Sequence, residues 1–174
     1  NDDLARHPIN EWRDKYISEN ENMPQWYPNL FSGMPSYGGY IYMTGDPTKL
    51  FRNTILFNLG LKVWFFLSLA GFGTFFLLKI LGSSSTAGVL GGLITGFTPY
   101  GFGLVNAGHL NKIFAMAYVP WVLAFFLLFM KNKSLKSICL LSIITALQLW
   151  ANHPQIVYYT WMIIGFYYVW SIAV

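Results

Sequence analysis

Residues 112–130 read KIFAMAYVPWVLAFFLLFM, an apolar run in which the only charged side chain, Lys112, stands at the first position. The hydrocarbon core of a bilayer is about 30 Å thick, and a helix needs about 20 residues to cross it. The run therefore predicts a membrane-spanning helix. Four further apolar runs surround it, and together they predict spans at 61–81, 86–106, 112–130, 135–151 and 155–174.

The composition agrees with a membrane protein. Of 174 residues, 55% are hydrophobic and 10% are charged, whereas about 25% are charged in a typical soluble domain. All seven acidic residues lie in the first 46 positions, and eight of the eleven basic side chains lie after them. Because these cations are spread along membrane-bound sequence, we expect contact with lipid headgroups and no nucleic-acid partner.

The chain divides into two parts. Residues 1–50 predict an extramembrane loop, rich in aromatic residues, Pro and Gly, with one short amphipathic helix over 9–19. Residues 51–174 predict the membrane domain, entered through an interfacial helix within 47–60. The expected fold class is all-α, a polytopic transmembrane helix bundle of about five spans. The chain begins at Asn1 and stops within an apolar run, so we expect an internal piece of a longer protein.

The second span carries two signals about its packing. Gly88, Gly92 and Gly96 form two overlapping G-x-x-x-G steps, a pattern that lets a neighbouring helix approach closely. Pro99 predicts a kink or an end of the helix at that point, because proline lacks the N–H that continues the hydrogen-bond ladder.

Positive charge predicts the orientation, since short cytoplasmic loops are enriched in Lys and Arg. Residues 131–136 are therefore expected in the cytoplasm, with residues 1–50 and the turns at 107–112 and 151–154 outside. The charges behind this choice are Lys79, Lys131, Lys133 and Lys136 on one side and Lys112 in the short loops of the other. Including Lys49, Arg52 and Lys62 brings the count to four against four.

Three polar signatures interrupt the apolar sequence, and all three emerge on one side if each span crosses the membrane. They are FSGMPSY at 31–37, NAGHLNK at 106–112 and ANHPQ at 151–155. A Lys at the mouth of a span binds phosphate, and imidazole donates hydrogen bonds or moves protons. We therefore interpret His109, Lys112, Asn152, His153 and Gln155 as candidates for binding a lipid-linked phosphate.

Structural roles compete with this interpretation. Lys112 could extend to the interface simply to keep its charge in water, and each His could serve a helix end or a turn. Asn152 is expected to cap the last helix, with Pro154 in its first turn. The 31–37 stretch has no evident nucleophile and base, and favours a shaped loop in which Trp26 and Tyr37 act as a lid or contact an acceptor sugar.

The sequence contains no motif of His or Cys residues typical of a metal site, and we expect no metal bound through these His residues. A divalent cation, Mg²⁺ or Mn²⁺, held by carboxylates and a substrate phosphate is the open alternative. Asp2 and Asp3 lead as its ligands, because paired carboxylates bind hard cations. Ordinary solvated charge is the competing interpretation of this pair.

The three signatures together resemble the bacterial YfhO family of polytopic membrane proteins. The matching stretches are Trp26 with FSGMPSY at 31–37, AGHLNKIFAMAYVP at 107–120 and ANHPQIVYY at 151–159. They stand in the family's order and cover the chain from Trp26 to Tyr159. The resemblance is therefore carried by three separate motifs.

That family is similar to the GT-C class of membrane glycosyltransferases. The resemblance implies an enzyme of the bacterial inner membrane that moves a sugar from a polyprenyl-phosphate donor to a cell-envelope acceptor on the outer face. It also implies a catalytic acid in the first external loop, a place that Asp2, Asp3 or a residue before Asn1 would fill. The alternatives are a transporter or flippase of a lipid-linked or anionic solute, and a non-catalytic membrane scaffold.

Overall fold

The computed structural model describes residues 2–28, 32–35 and 48–173. Two compact units emerge, Asn1–Thr44 and Gly45–Val174, and each is described by itself. The first unit corresponds to most of the predicted loop, and the second contains the apolar spans.

The first unit consists of one helix and a short strand pair. Helix α1 (Asp2–Asn20) is followed by β1 (Trp26–Tyr27) and β2 (Met34–Pro35), which pair antiparallel with Trp26 opposite Pro35. Helix α1 is longer than the predicted segment 9–19. The helix continues through Pro8, which lacks a backbone N–H and so contributes one donor fewer to the ladder. The Trp12 ring lies 5.5 Å from the rings of both Tyr16 and Tyr27.

The second unit, in its described part, consists of helices joined by short turns. Four segments are long and apolar enough to cross a membrane (59–80, 85–107, 110–132 and 154–173), and a shorter apolar helix lies between the last two. The all-α, polytopic helix bundle is therefore confirmed, and the protein is a multi-pass membrane protein. Its helices are α2 (Thr48–Thr54), α3 (Leu59–Ile80), α4 (Ser85–Gly96), α5 (Pro99–Ala107), α6 (Leu110–Asn132), α7 (Leu135–Trp150) and α8 (Pro154–Ala173).

Local sequence explains where these helices begin and end. Asn58, Ser84 and Ser134 each precede a helix and accept a backbone N–H of its first turn, the usual role of such residues at an N-cap. The predicted interruption at Pro99 is confirmed, because α4 ends at Gly96 and Pro99 is the first residue of α5.

Helix α6 forms the centre of the bundle and packs against α3, α7 and α8. The Phe66 ring of α3 stacks on the Phe114 ring of α6 at 4.2 Å. Further along both helices, Trp121 Nε1 donates a hydrogen bond of 2.9 Å to the Leu69 carbonyl. The second contact lies further toward the C-terminus on both helices than the first. Helices α3 and α6 therefore run parallel and begin at the same end of the bundle.

The α3–α4 contact depends on two glycines. A Cβ atom added to Gly71 would lie 2.8 Å from the Gly92 carbonyl oxygen, and one added to Gly92 would lie 2.8 Å from the Gly71 oxygen. Neither backbone oxygen can move away without displacing its helix. The prediction that the G-x-x-x-G face packs against a neighbouring helix is confirmed.

We expect Gly92→Leu to lower stability by about 1–3 kcal/mol, the usual cost of overpacking a close contact. Thermal unfolding of the purified protein in detergent measures the effect as a lower Tm. Gly103→Leu is the matched control, because a Cβ atom at Gly103 meets nothing within 4 Å. Equal Tm values for the two variants would contradict the assigned role of Gly92.

Candidate functional site

The first polar turn of the helical unit lies between α5 and α6. Gly108 has a left-handed backbone (φ 84°), and its N–H donates to the Leu104 and Val105 carbonyls, which closes the end of α5. His109 then occupies the position before α6, is exposed, and makes no side-chain capping bond there. The capping alternative considered for His109 is therefore wrong at this helix end.

Lys112 lies in the first turn of α6 and is half-buried. Its ammonium nitrogen lies 5.4 Å from the centroid of the Tyr100 ring in α5. The negative face of an aromatic ring attracts a cation at such a distance. The contact fixes the Lys112 side chain near the end of the bundle without neutralising its charge.

The second polar turn joins α7 to α8. Asn152 has φ 57°, and its N–H donates to the Leu149 carbonyl at 3.0 Å. Asn tolerates this left-handed conformation better than most residues, so Asn152 serves the end of α7. The expectation that Asn152 caps α8 is wrong: His153 stands directly before Pro154, and its carbonyl accepts the N–H of Ile156 at 3.1 Å.

His153 is half-buried, and its Nδ1 atom is buried without a hydrogen bond to another residue. Burial lowers the pKa of His153, a hydrogen bond to its own backbone opposes the change, and the charges of Lys112 and then His109 lower the pKa further. Lys112 and His109 therefore both lie within electrostatic reach of His153. We call the end of the bundle formed by His109, Lys112 and His153 the cationic end.

The charge at this end is not balanced by nearby sequence, because residues 47–174 contain no Asp or Glu. The N-termini of α6 and α8 also lie here, and the free N–H groups of a helix N-terminus favour anions. Lys112 offers an ammonium group that can bind an anion. A His153 imidazole with a lowered pKa is mainly neutral at pH 7 and is able to donate a hydrogen bond or accept a proton.

Sequence reasoning did not place Arg52 in the site. Its guanidinium carbon lies 5.7 Å from the centroid of the Phe114 ring, one turn into α6. Arg52 therefore belongs to the same end of the helical unit. In the sequence, Arg52 is a single Arg in the short helix before the first span, and this position predicts only that it lies at the membrane interface.

The other predicted site residues lie apart from this cluster or outside the described residues. Gln155 is exposed on α8, where its Nε2 donates to Tyr159 Oη at 2.9 Å. Trp26 belongs to the first unit, is 53% exposed and has its indole against Gly33. Asp2 and Asp3 start α1, but their side chains are outside the described part, as is the whole of Tyr37.

Metal ligands do not cluster in the part of the chain that the structure describes. Within those residues, no group of three or more His, Cys, Asp or Glu side chains is arranged to hold a metal ion. A cation held by Asp2 and Asp3 with a substrate phosphate falls outside this test, so it stays a prediction.

An apolar groove runs along the outside of α3, α4 and α5. Its volume is about 880 Å³, and Ser68 is the one polar side chain among residues that include Leu59, Trp64, Leu93 and Val105. On α3 the lining extends from Leu59 to Phe75, roughly 24 Å at the rise of an α-helix. Because α3 and α6 begin at the same end, the Leu59 end of the groove lies on the side of the cationic end.

Comparison with known proteins gives no match. No family model, no curated protein and no solved structure corresponds to this chain. The class that the fold defines is a multi-pass helical membrane protein, and its activity must be argued from the site.

We expect the pKa of His153 to lie below 6.5 and to rise toward that value in Lys112→Gln, because the variant removes a neighbouring positive charge. An NMR titration of histidine-labelled protein in detergent measures the shift. Lys136→Gln serves as the control, since Lys136 lies at the opposite end of α7. A Lys112→Gln titration identical to wild type would contradict the electrostatic contact.

The same shift sets the pH dependence of stability. Because the folded pKa of His153 is lowered, the unfolded chain takes up a proton first as the pH falls below 6.5. Stability contributed by neutral His153 is therefore present above that pH and decreases as the pH falls toward the lowered pKa. In His153→Gln, unfolding measured against pH should show a smaller decrease over this range.

Proposed function

We propose that this chain belongs to a membrane glycosyltransferase of the GT-C-like class, which takes its sugar from a polyprenyl-phosphate donor. The observation that carries the proposal is the cationic end. His109 and Lys112 lie within electrostatic reach of His153, and residues 47–174 contain no carboxylate side chain. Such a site suits a phosphate. The similarity of three motifs to the YfhO family supports the choice of donor and of a cell-envelope acceptor.

In the proposed reaction, an acceptor hydroxyl attacks the anomeric carbon of the donor sugar. A new glycosidic bond forms, the bond from that carbon to the phosphate oxygen breaks, and the lipid phosphate leaves with the electron pair. The hydroxyl proton passes to a general base, for which Asp2, Asp3 or a residue upstream of them is the candidate. Lys112 and the two His side chains stabilise the negative charge that develops on the leaving phosphate.

The groove supports a donor with a long apolar tail. It is lined almost entirely by apolar side chains and extends over most of the thickness of a bilayer core. The Leu59 end of the groove lies on the same side of the bundle as the cationic end. An amphiphile with an anionic headgroup matches both features, since its head would lie near Lys112 and its tail along α3.

The lysines of the short loops favour one orientation, since Lys79, Lys131, Lys133 and Lys136 lie on one side and Lys112 on the other. We place the cationic end on the outer face of a bacterial inner membrane and residues 131–136 in the cytoplasm. Lys131 and Lys133 flank the α6–α7 turn, at the end opposite to His109 and His153. The resemblance adds that sugar transfer in such proteins uses the outer face.

We expect Lys112→Ala to reduce sugar transfer about 100-fold or more, the usual loss when a stabilising group for developing charge is removed. His109→Ala should reduce it as well. The measurement is transfer from a radiolabelled polyprenyl-phosphate sugar by purified full-length protein. Lys136→Ala is the control for loss of a charge at the other end, and wild-type transfer in Lys112→Ala and His109→Ala would contradict the site.

The same assay separates the rival functions. A transporter or flippase would move the labelled donor across a vesicle membrane without forming a product. A scaffold would do neither. Either result with folded full-length protein would refute the transferase proposal.

The groove makes a separate prediction about the lipid tail. Leu93→Trp fills the groove, whereas Ile94→Trp adds the same side chain at a neighbouring exposed position outside the lining. We expect Leu93→Trp to weaken binding of a polyprenyl phosphate and to leave binding of inorganic pyrophosphate unchanged. Isothermal titration of both ligands against both variants measures this, and equal polyprenyl affinity in the two variants would argue against the groove.

A further inference from the structure

Gln148 is a fully buried amide that joins three helices. Its exposed fraction is 0%, although it lies on the membrane helix α7. The Nε2 atom donates one hydrogen bond to the Ala115 carbonyl of α6 at 3.3 Å and another to Thr160 Oγ1 of α8 at 3.0 Å. These are side-chain bonds between helices, unlike most others in the bundle, which stay within one helix.

The two partners fix the orientation of the amide. Thr160 donates its hydroxyl proton to the Ile156 carbonyl at 2.8 Å, so its oxygen accepts from Gln148. The Ala115 carbonyl can only accept. Turning the amide over would place Gln148 Oε1 against the Ala115 carbonyl, which cannot donate, so the observed orientation is the only one that satisfies both bonds.

The amide lies directly below the cationic end along each of the three helices. Ala115 follows Lys112 by one turn of α6. Gln148 lies on α7, five residues before His153. Thr160 lies on α8, two turns after His153. The two hydrogen bonds therefore connect the helix that carries Lys112 to both helices that flank His153.

A role in stability alone does not account for this residue. Gln148 Oε1 is buried and accepts no hydrogen bond from the protein, and a buried acceptor left unpaired carries a desolvation cost. Leucine has a similar size and avoids that cost. Hydrogen bonds between membrane helices contribute modestly to stability on average. The amide therefore fixes the relative positions of the three helices more than it stabilises the fold.

We propose that Gln148 is a positioning residue that holds Lys112 and His153 at a fixed separation through Ala115 and Thr160. It acts through these neighbours and does not touch the phosphate. What the positioned pair binds rests on the proposed function, whereas the positioning itself does not.

The test compares Gln148→Leu and Thr160→Val with Thr160→Ser, which keeps the accepting hydroxyl, and with Ser142→Ala. Ser142 is exposed on α7 and bonds only to the Ile138 carbonyl of its own helix. The first readout is the pKa of His153 by NMR in protein without ligand. We expect this pKa to rise toward 6.5 in Gln148→Leu and Thr160→Val, because His153 becomes less buried and moves away from Lys112. It should stay at the wild-type value in the two controls.

The second readout is the affinity for farnesyl phosphate, with farnesol as the neutral comparison. We expect it to fall about fivefold or more in Gln148→Leu and Thr160→Val, the lower end of coupling between sites, while the Tm of Gln148→Leu stays near or above wild type. If Gln148→Leu does not fold, the Thr160→Val and Thr160→Ser pair decides alone.

An unchanged His153 pKa in Gln148→Leu and Thr160→Val would overturn the positioning role, even if the Tm falls. A raised pKa in these variants supports that role, whether or not the protein binds the ligand. The pKa could be raised in these two variants while neither they nor the wild type bind farnesyl phosphate. That result would uphold the positioning role and refute the proposed function.

Discussion

The hydrocarbon interior of a membrane offers no water to backbone N–H and C=O groups, and the rest of this structure depends on that constraint. Each span must satisfy its own ladder, so the described chain beyond residue 48 is helical almost throughout. Where the ladder stops between α4 and α5, the N–H of Phe97 still donates to Leu93. Polar side chains are therefore concentrated at the helix ends, where the candidate site lies.

Close packing follows from the same constraint, because helices in lipid associate through shape and hydrogen bonds more than through exclusion of water. Gly71 and Gly92 bring two backbones into contact, and Trp121 reaches the Leu69 carbonyl from the next helix. The same close contact borders the apolar groove, whose lining includes Gly71, Gly92 and Gly96.

Some of this architecture could be predicted from the sequence because the signals are local. Span length, Pro99 and the G-x-x-x-G steps each act within a few residues of themselves. Arg52, Gln148 and the true role of Asn152 could not be predicted in the same way. Arg52 and Gln148 acquire their roles from partners at Phe114, Ala115 and Thr160, far away in sequence, and Asn152 depends on which of two adjacent helices uses its backbone.

The cationic end is electrostatically costly when it is empty. Burial disfavours a proton on His153, and the charges of Lys112 and then His109 lower its pKa further. An anion bound among them would reverse the sign of the local potential, and by linkage it would raise the pKa of His153 by the same free energy that protonation adds to anion binding. A buried amide that bonds both to the helix carrying Lys112 and to the helix after His153 would keep these two side chains close enough to act on one anion, which is the arrangement that the proposed phosphate site needs.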